Sequence, residues 1–101
     1  MLMSDVAALI PPTRLVAETR SEFRRAALEF VAQAAGRGET SLVIDLSGTV
    51  EVDASGLGIL LFVNSRAREH AMTTRLVRVP PTVRALLELT KLEPIFAEVS
   101  S

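Results

Sequence analysis

The chain has 101 residues, 49% of them hydrophobic, with a formal net charge of -1 and no cysteine. That size and apolar content suit one domain with a single core, and the near-neutral charge excludes a broad basic field for nucleic acid or acidic lipid. Without cysteine there are no disulfides, thiolate metal sites or thiol catalysis.

The opening Met1-Leu2-Met3-Ser4-Asp5 lacks the basic and long apolar parts of a signal peptide. No apolar run approaches the roughly 20 residues of a membrane span. The expectation is a single cytoplasmic domain over residues 1–101, not inserted in a membrane and with no metal or cofactor.

In chain order, the apolar run 6–10 reads as a short strand stopped by Pro11-Pro12. Proline cannot donate to a strand ladder, which places this strand at a sheet edge. Thr19-Arg20-Ser21-Glu22 has the pattern of a capping box. Phe23, Ala26, Ala27, Phe30, Val31 and Ala34 follow at helical spacing. This amphipathic helix presents Arg24, Arg25, Glu29 and Gln33 to water and ends at Gly36 or Gly38.

Residues 42–46 form an apolar, branched run bounded by Thr40-Ser41 and Ser47-Gly48, as in a strand buried on both faces of a parallel sheet. A polar turn and a second extended piece lead to the corner Asp53-Ala54-Ser55-Gly56-Leu57-Gly58, which opens a helix. Its first half is apolar nearly all round, so it is covered on most sides. Either Ser55 or Asp53 suits the N-cap, because each carries an oxygen able to accept from the free amides of the first turn. Gly56 and Gly58 lower helix propensity there, which points to close approach by another part of the chain.

Beyond Thr73-Thr74, residues 75–79 alternate as a half-buried strand. Pro80-Pro81-Thr82 then starts a short helix with Val83, Leu86, Leu87 and Thr90 on its inner face. Lys91-Leu92-Glu93-Pro94 breaks it, and residues 95–99 form a last short strand. The expected fold is therefore α/β, a small mostly parallel sheet of about four strands flanked by helices. Chemistry in such sheets gathers where strands end and helices begin, as at the corner 53–58.

Val43-Ile44-Asp45-Leu46-Ser47-Gly48, then Val52-Asp53-Ala54-Ser55-Gly56-Leu57-Gly58, then the segment 75–92 together resemble a STAS domain of the anti-sigma factor antagonist family. The resemblance covers about residues 40–96. It implies a switch protein: the unphosphorylated antagonist binds an anti-sigma factor that is also a serine kinase, phosphorylation releases it, and a metal-dependent serine phosphatase restores it. Carried over by position, the phosphoacceptor is Ser55, and Asp53, Ala54, Ser55, Gly56 and Leu57 form the partner-binding corner. Ala54 stands where the family usually has serine or threonine, and the N-terminal hairpin reads as shortened to the single strand 6–10.

Other readings stand beside this one. Ser55 can be no more than an N-cap. The chain can also be a structural subunit like the small STAS components of lipid-transport ATPase complexes, where the corner docks an ATPase without any phosphate. An enzyme is the least favoured, since there is no Gly-x-Ser-x-Gly elbow and His70 is the only histidine to serve as a base. Asp45, inside an apolar strand, reads as a hydrogen-bonded structural carboxylate. Arg66, Arg68, Arg75, Arg78 and Arg84 read as solvated faces, and His70 as a residue at a helix end.

Overall fold

The computed structural model describes residues 7–101. The chain runs β1 (Ala8–Leu9), β2 (Arg14–Leu15), α1 (Arg20–Gly36), β3 (Ser41–Asp45), β4 (Glu51–Val52), α2 (Ala54–Glu69), β5 (Thr73–Val77), α3 (Pro81–Leu89), a 3₁₀ turn (Glu93–Ile95) and β6 (Glu98–Val99). Four strands make one parallel sheet in the order β1-β3-β5-β6. Its connections pass through α1, α2 and α3 in turn, as parallel pairing requires. The sheet is the one expected from the strand and helix alternation, with β1 at an edge. Val6, which opened the expected first strand, lies outside the described residues.

β3 occupies the middle of the sheet, and Leu42, Val43, Ile44 and Asp45 are all buried. A strand covered on both faces has no side to give to water, which explains its unbroken apolar run. It pairs with β5 from Ser41 opposite Thr73 to Asp45 opposite Val77. β5 thus begins two residues earlier than its alternating pattern implied, and Thr74 is buried beside Leu76.

α1 buries Phe23, Ala27, Val31 and Ala34. Phe30 is half-buried and Ala26 exposed, so the inward stripe is narrower than its periodicity indicated. Gly38 follows the helix in the left-handed region at φ 76°, where glycine has no steric penalty. Its amide donates to the Ala35 carbonyl and that of Glu39 to Ala34, closing the two-bond glycine cap.

Three local expectations change. The capping box at Thr19 does not form: the Thr19 hydroxyl instead donates to the Arg14 carbonyl at 2.7 Å and accepts from the Val16 amide at 3.1 Å. That use of the hydroxyl shapes the turn between β2 and α1. Second, the N-terminal segment holds two strands, not one, because β2 pairs in parallel with β4, Arg14 opposite Glu51 and Leu15 opposite Val52. Third, the inner face of α3 is Val83 and Leu87 with Leu86 half-buried against the core, while Thr90 is exposed and donates its hydroxyl to the Leu86 carbonyl.

Two arginines expected on solvated faces are structural. Arg84 donates to Glu93 at 2.7 Å and to the Val99 carbonyl at 2.6 Å, pinning α3 to the C-terminal turn. Arg78 lies at φ 51° and donates to Asp45 Oδ2 through Nε and Nη2, at 3.2 and 2.6 Å. Asp45 Oδ1 accepts from the Ser47 amide, so this buried carboxylate is satisfied on both oxygens, the structural role expected of it.

Candidate functional site

The strand β4 delivers Asp53, still extended at φ -103° and ψ -172°, to the start of α2. Asp53 Oδ1 accepts from the Gly56 amide at 2.9 Å, and Oδ2 accepts from the Ala17 amide at 3.1 Å. The N-cap left open between Asp53 and Ser55 is therefore Asp53. The Gly56 amide, with help from Ala17 and against the opposing effect of partial burial, holds the Asp53 carboxyl below the usual carboxylate range. The residue is anionic wherever the fold is intact near neutral pH.

With the cap supplied by Asp53, Ala54 is the first helical residue and Ser55 the second. Ala54 is exposed and Ser55 half-buried. The Ser55 hydroxyl makes no hydrogen bond among the described residues. Gly56 and Leu57 turn inward and are buried, so they hold the corner rather than present a surface.

The two glycines have different reasons. A Cβ on Gly56 would run into the Leu15 carbonyl oxygen and lie 3.0 Å from Leu15 C and Val52 Cγ1, so the close approach expected of it is made by β2. Gly58 is exposed, and a Cβ there would meet nothing within 4 Å. What Gly58 contributes is an unfilled wall.

That wall belongs to a cleft of about 570 Å³ between the first turns of α1 and α2. Arg20, Ser21 and Arg24 line it from α1, and Ala54, Ser55 and Gly58 from α2, with Ile59 and Phe62 adding an apolar surface. The Arg24 guanidinium carbon lies 4.5 Å from the centre of the Phe62 ring, a cation–π contact. The chemistry on offer is two hydroxyls, of Ser21 on α1 and Ser55 on α2, in one cleft with two cationic side chains.

The arginines of this cleft were not singled out from the sequence, which only set Arg24 on the water-facing side of α1. Their i, i+4 spacing put them on one stripe of the helix. Which neighbour that stripe faces depends on α1 packing against α2. Among the described residues no group of three or more acidic or histidine side chains could hold a metal ion, and no helix is long and apolar enough to cross a membrane.

A family model described as MlaB, STAS domain, matches residues 13–96. The chain belongs to the STAS-domain family. No curated protein sequence matches it. Among solved structures, this STAS domain is similar to TM1081 of Thermotoga maritima, with a TM-score of 0.76 at 18% identity, over 96% of this chain and 83% of that one. It is similar as well to an anti-sigma-factor antagonist (STAS) domain protein of Planctomyces limnophilus, with a TM-score of 0.76 at 20% identity, over 91% of this chain and 80% of that one. The Bacillus cell fate determinant SpoIIAA in its phosphorylated form superposes with a TM-score of 0.61 at 18% identity, over 97% of this chain and 87% of that one. At such identities the likeness bears on the fold: a mostly parallel four-stranded sheet flanked by three helices, as in these STAS proteins.

Proposed function

We propose that this STAS domain is a cytoplasmic anti-sigma factor antagonist that works as a phosphorylation switch. Unphosphorylated, it binds an anti-sigma factor that is also a serine kinase, through the surface made by Asp53, Ala54 and Ser55, with Gly56 and Leu57 holding that surface in shape. The kinase transfers the γ-phosphoryl group of ATP to Ser55 Oγ; ADP leaves, the hydroxyl proton passes to a base of the kinase, and the complex parts. A serine phosphatase hydrolyses the phosphoserine and restores binding.

The observation that carries this reading is the division of labour at the corner. Asp53 satisfies the helix end, which leaves the Ser55 hydroxyl at the mouth of an open cleft with no structural task. A phosphoryl group there adds about -1.5 to -2 charge, next to the Asp53 carboxylate. At an interface shaped for a neutral serine, burying that charge costs roughly 2–5 kcal/mol. The lower figure already weakens binding about 30-fold.

A second reading, a subunit that docks an ATPase of a lipid-transport complex, is favoured by Ala54 and Gly58. They leave a small-residue, exposed rim that can seat a partner with no phosphate involved.

One experiment separates the two. Wild type, Ser55→Ala and Ser55→Asp are each used to capture partners from the native lysate, and the retained proteins are identified by mass spectrometry. Wild type and Ser55→Ala are expected to retain an ATP-binding anti-sigma kinase that Ser55→Asp loses. Retention by Ser55→Asp at the wild-type level would overturn the charge switch, and equal recovery of a transporter ATPase by all three would establish the second reading.

A further inference from the structure

Most arginines of this domain are already neutralised. Arg14, Arg37, Arg66, Arg75, Arg78 and Arg84 each have a carboxylate within 4.0 Å. Arg20, Arg24, Arg25 and Arg68 have none among the described residues, and of these four only Arg20 and Arg24 line the same cleft as Ser55. Two guanidinium groups without a carboxylate partner thus share a cleft with the Ser55 hydroxyl.

We propose that Arg20 and Arg24 are the receptor for phosphoserine 55 within the same chain, clamping the phosphate across the cleft once it is formed. The idea rests on Ser55 being the modified residue and adds how the modified state is held. Three features fit the clamp. The arginines lie one turn apart on α1, so their side chains approach the α2 corner from one direction. The Arg24 guanidinium carbon lies 4.5 Å from the centre of the Phe62 ring, which holds the group beside the cleft, and no carboxylate among the described residues engages its N–H donors. Gly58 puts no side chain into its part of the cleft, which has about 570 Å³ of room for a phosphoryl group before modification.

The charges facing Ser55 set the balance. Asp53 opposes the phosphate, but both its oxygens are engaged by the Gly56 and Ala17 amides. Glu22, the acidic residue of the first turn of α1, lines the neighbouring groove with Ile10 and Pro12 instead of this cleft. Two cations therefore meet the dianion against one committed carboxylate. Release of a partner then has two causes: phosphate is placed at the corner, and Arg20 and Arg24 are drawn onto it and away from any acidic group of the partner.

The test needs neither kinase nor partner, so its failure is distinct from a failure of the switch itself. Full-length protein with phosphoserine installed at position 55 during synthesis is titrated by ³¹P NMR, alongside the same protein carrying R20Q and R24Q, and a third carrying R25Q. Arg25 is an exposed arginine of α1 that does not line the cleft. Cations within about 4–6 Å lower the pKa of an acid by roughly one unit or more. The second ionisation of the phosphate is thus expected at least about one unit lower in wild type than in R20Q/R24Q, a tenfold change in proton affinity, with R25Q close to wild type. Coincident titrations of wild type and R20Q/R24Q would overturn the clamp. So would an R25Q shift as large as that of the double variant, since the effect would then be net charge alone.

Discussion

Replacing Asp45 with asparagine tests whether the buried ion pair at the end of β3 holds the sheet as the geometry implies. Asp45 is 6% exposed, accepts from Arg78 at 2.6 Å and from the Ser47 amide at 2.9 Å, and these bonds outweigh burial. Arg78 first, then Ser47, pull its pKa from 3.8 down to about 2. At about 1.4 kcal/mol per unit, that shift corresponds to about 2.5 kcal/mol of folding free energy. The Arg78 side chain is 69% exposed, so water screens its part of the interaction. About 1–2 kcal/mol is the expected contribution after that discount.

The sign follows from proton uptake. The unfolded chain binds a proton at Asp45 near pH 3.8, the folded protein only near pH 2, so acid favours unfolding between those values. The contribution is complete above about pH 5 and fades as pH falls through 4 to 2. Urea unfolding of wild type and Asp45→Asn at pH 7, 5, 4, 3 and 2.5 measures it directly. The wild-type advantage should be about 1–2 kcal/mol at pH 5 and above and shrink towards pH 2. Asp53 and Glu98 are also held low, by Gly56 and Arg75 respectively, but both remain in the variant and cancel in the difference. A difference that stays constant from pH 7 to 2.5 would refute the ion-pair account.

Gly56→Ala should destabilise the domain by about 1–3 kcal/mol, because its Cβ meets a backbone carbonyl, which cannot rotate aside as a side chain could. Hydrogen exchange should show the Ala17 amide opening faster in this variant, and an unchanged urea midpoint would show that β2 does not press on the corner. Leu60→Asp places a charge at a position with 0% exposure in the middle of α2. The loss of packing alone is about 2–5 kcal/mol, the uncompensated charge adds to it, and a domain of this size has about 5–15 kcal/mol in all. Circular dichroism should show an unfolded chain, and a wild-type melting temperature would show that α2 is not the buried helix.

Features carried by many residues at a regular spacing were legible in the sequence. The run that became β3, the stripe of α1 with its terminal glycine, and the proline that starts α3 each follow from local chemistry. The corner was legible for the same reason, since an acid, a hydroxyl and a glycine at a strand-to-helix junction restrict what can fold there. β2 was not. Two residues have no period, and Arg14–Leu15 is a strand only because β4, some 37 residues later, offers it a ladder. The capping box at Thr19 failed for a related reason: its hydroxyl was claimed by the Arg14 carbonyl that β2 brings near. Arg84 looked like a surface arginine until Glu93 and the Val99 carbonyl closed on it.

The same long-range contacts would let the corner take the proposed change of charge at Ser55 without losing its shape. Asp53 joins three segments: its carboxylate oxygens hold the Gly56 amide of α2 and the Ala17 amide after β2, and its own amide donates to the Leu15 carbonyl. Ser55 takes part in none of these side-chain links, although it stands between Asp53 and Gly56 in the chain. A structural serine at the N-cap would couple modification to unfolding, because losing a cap costs about 1 kcal/mol and exposes the helix end. Here the framework is carried by a carboxylate, the proposed phosphoacceptor is its neighbour but one, and the cations of the cleft belong to a different helix. Under the proposed switch, modification at Ser55 would alter what the surface binds while the sheet, the cap and the β2 contact stay as they are, which is the physical requirement for a reversible switch on so small a domain.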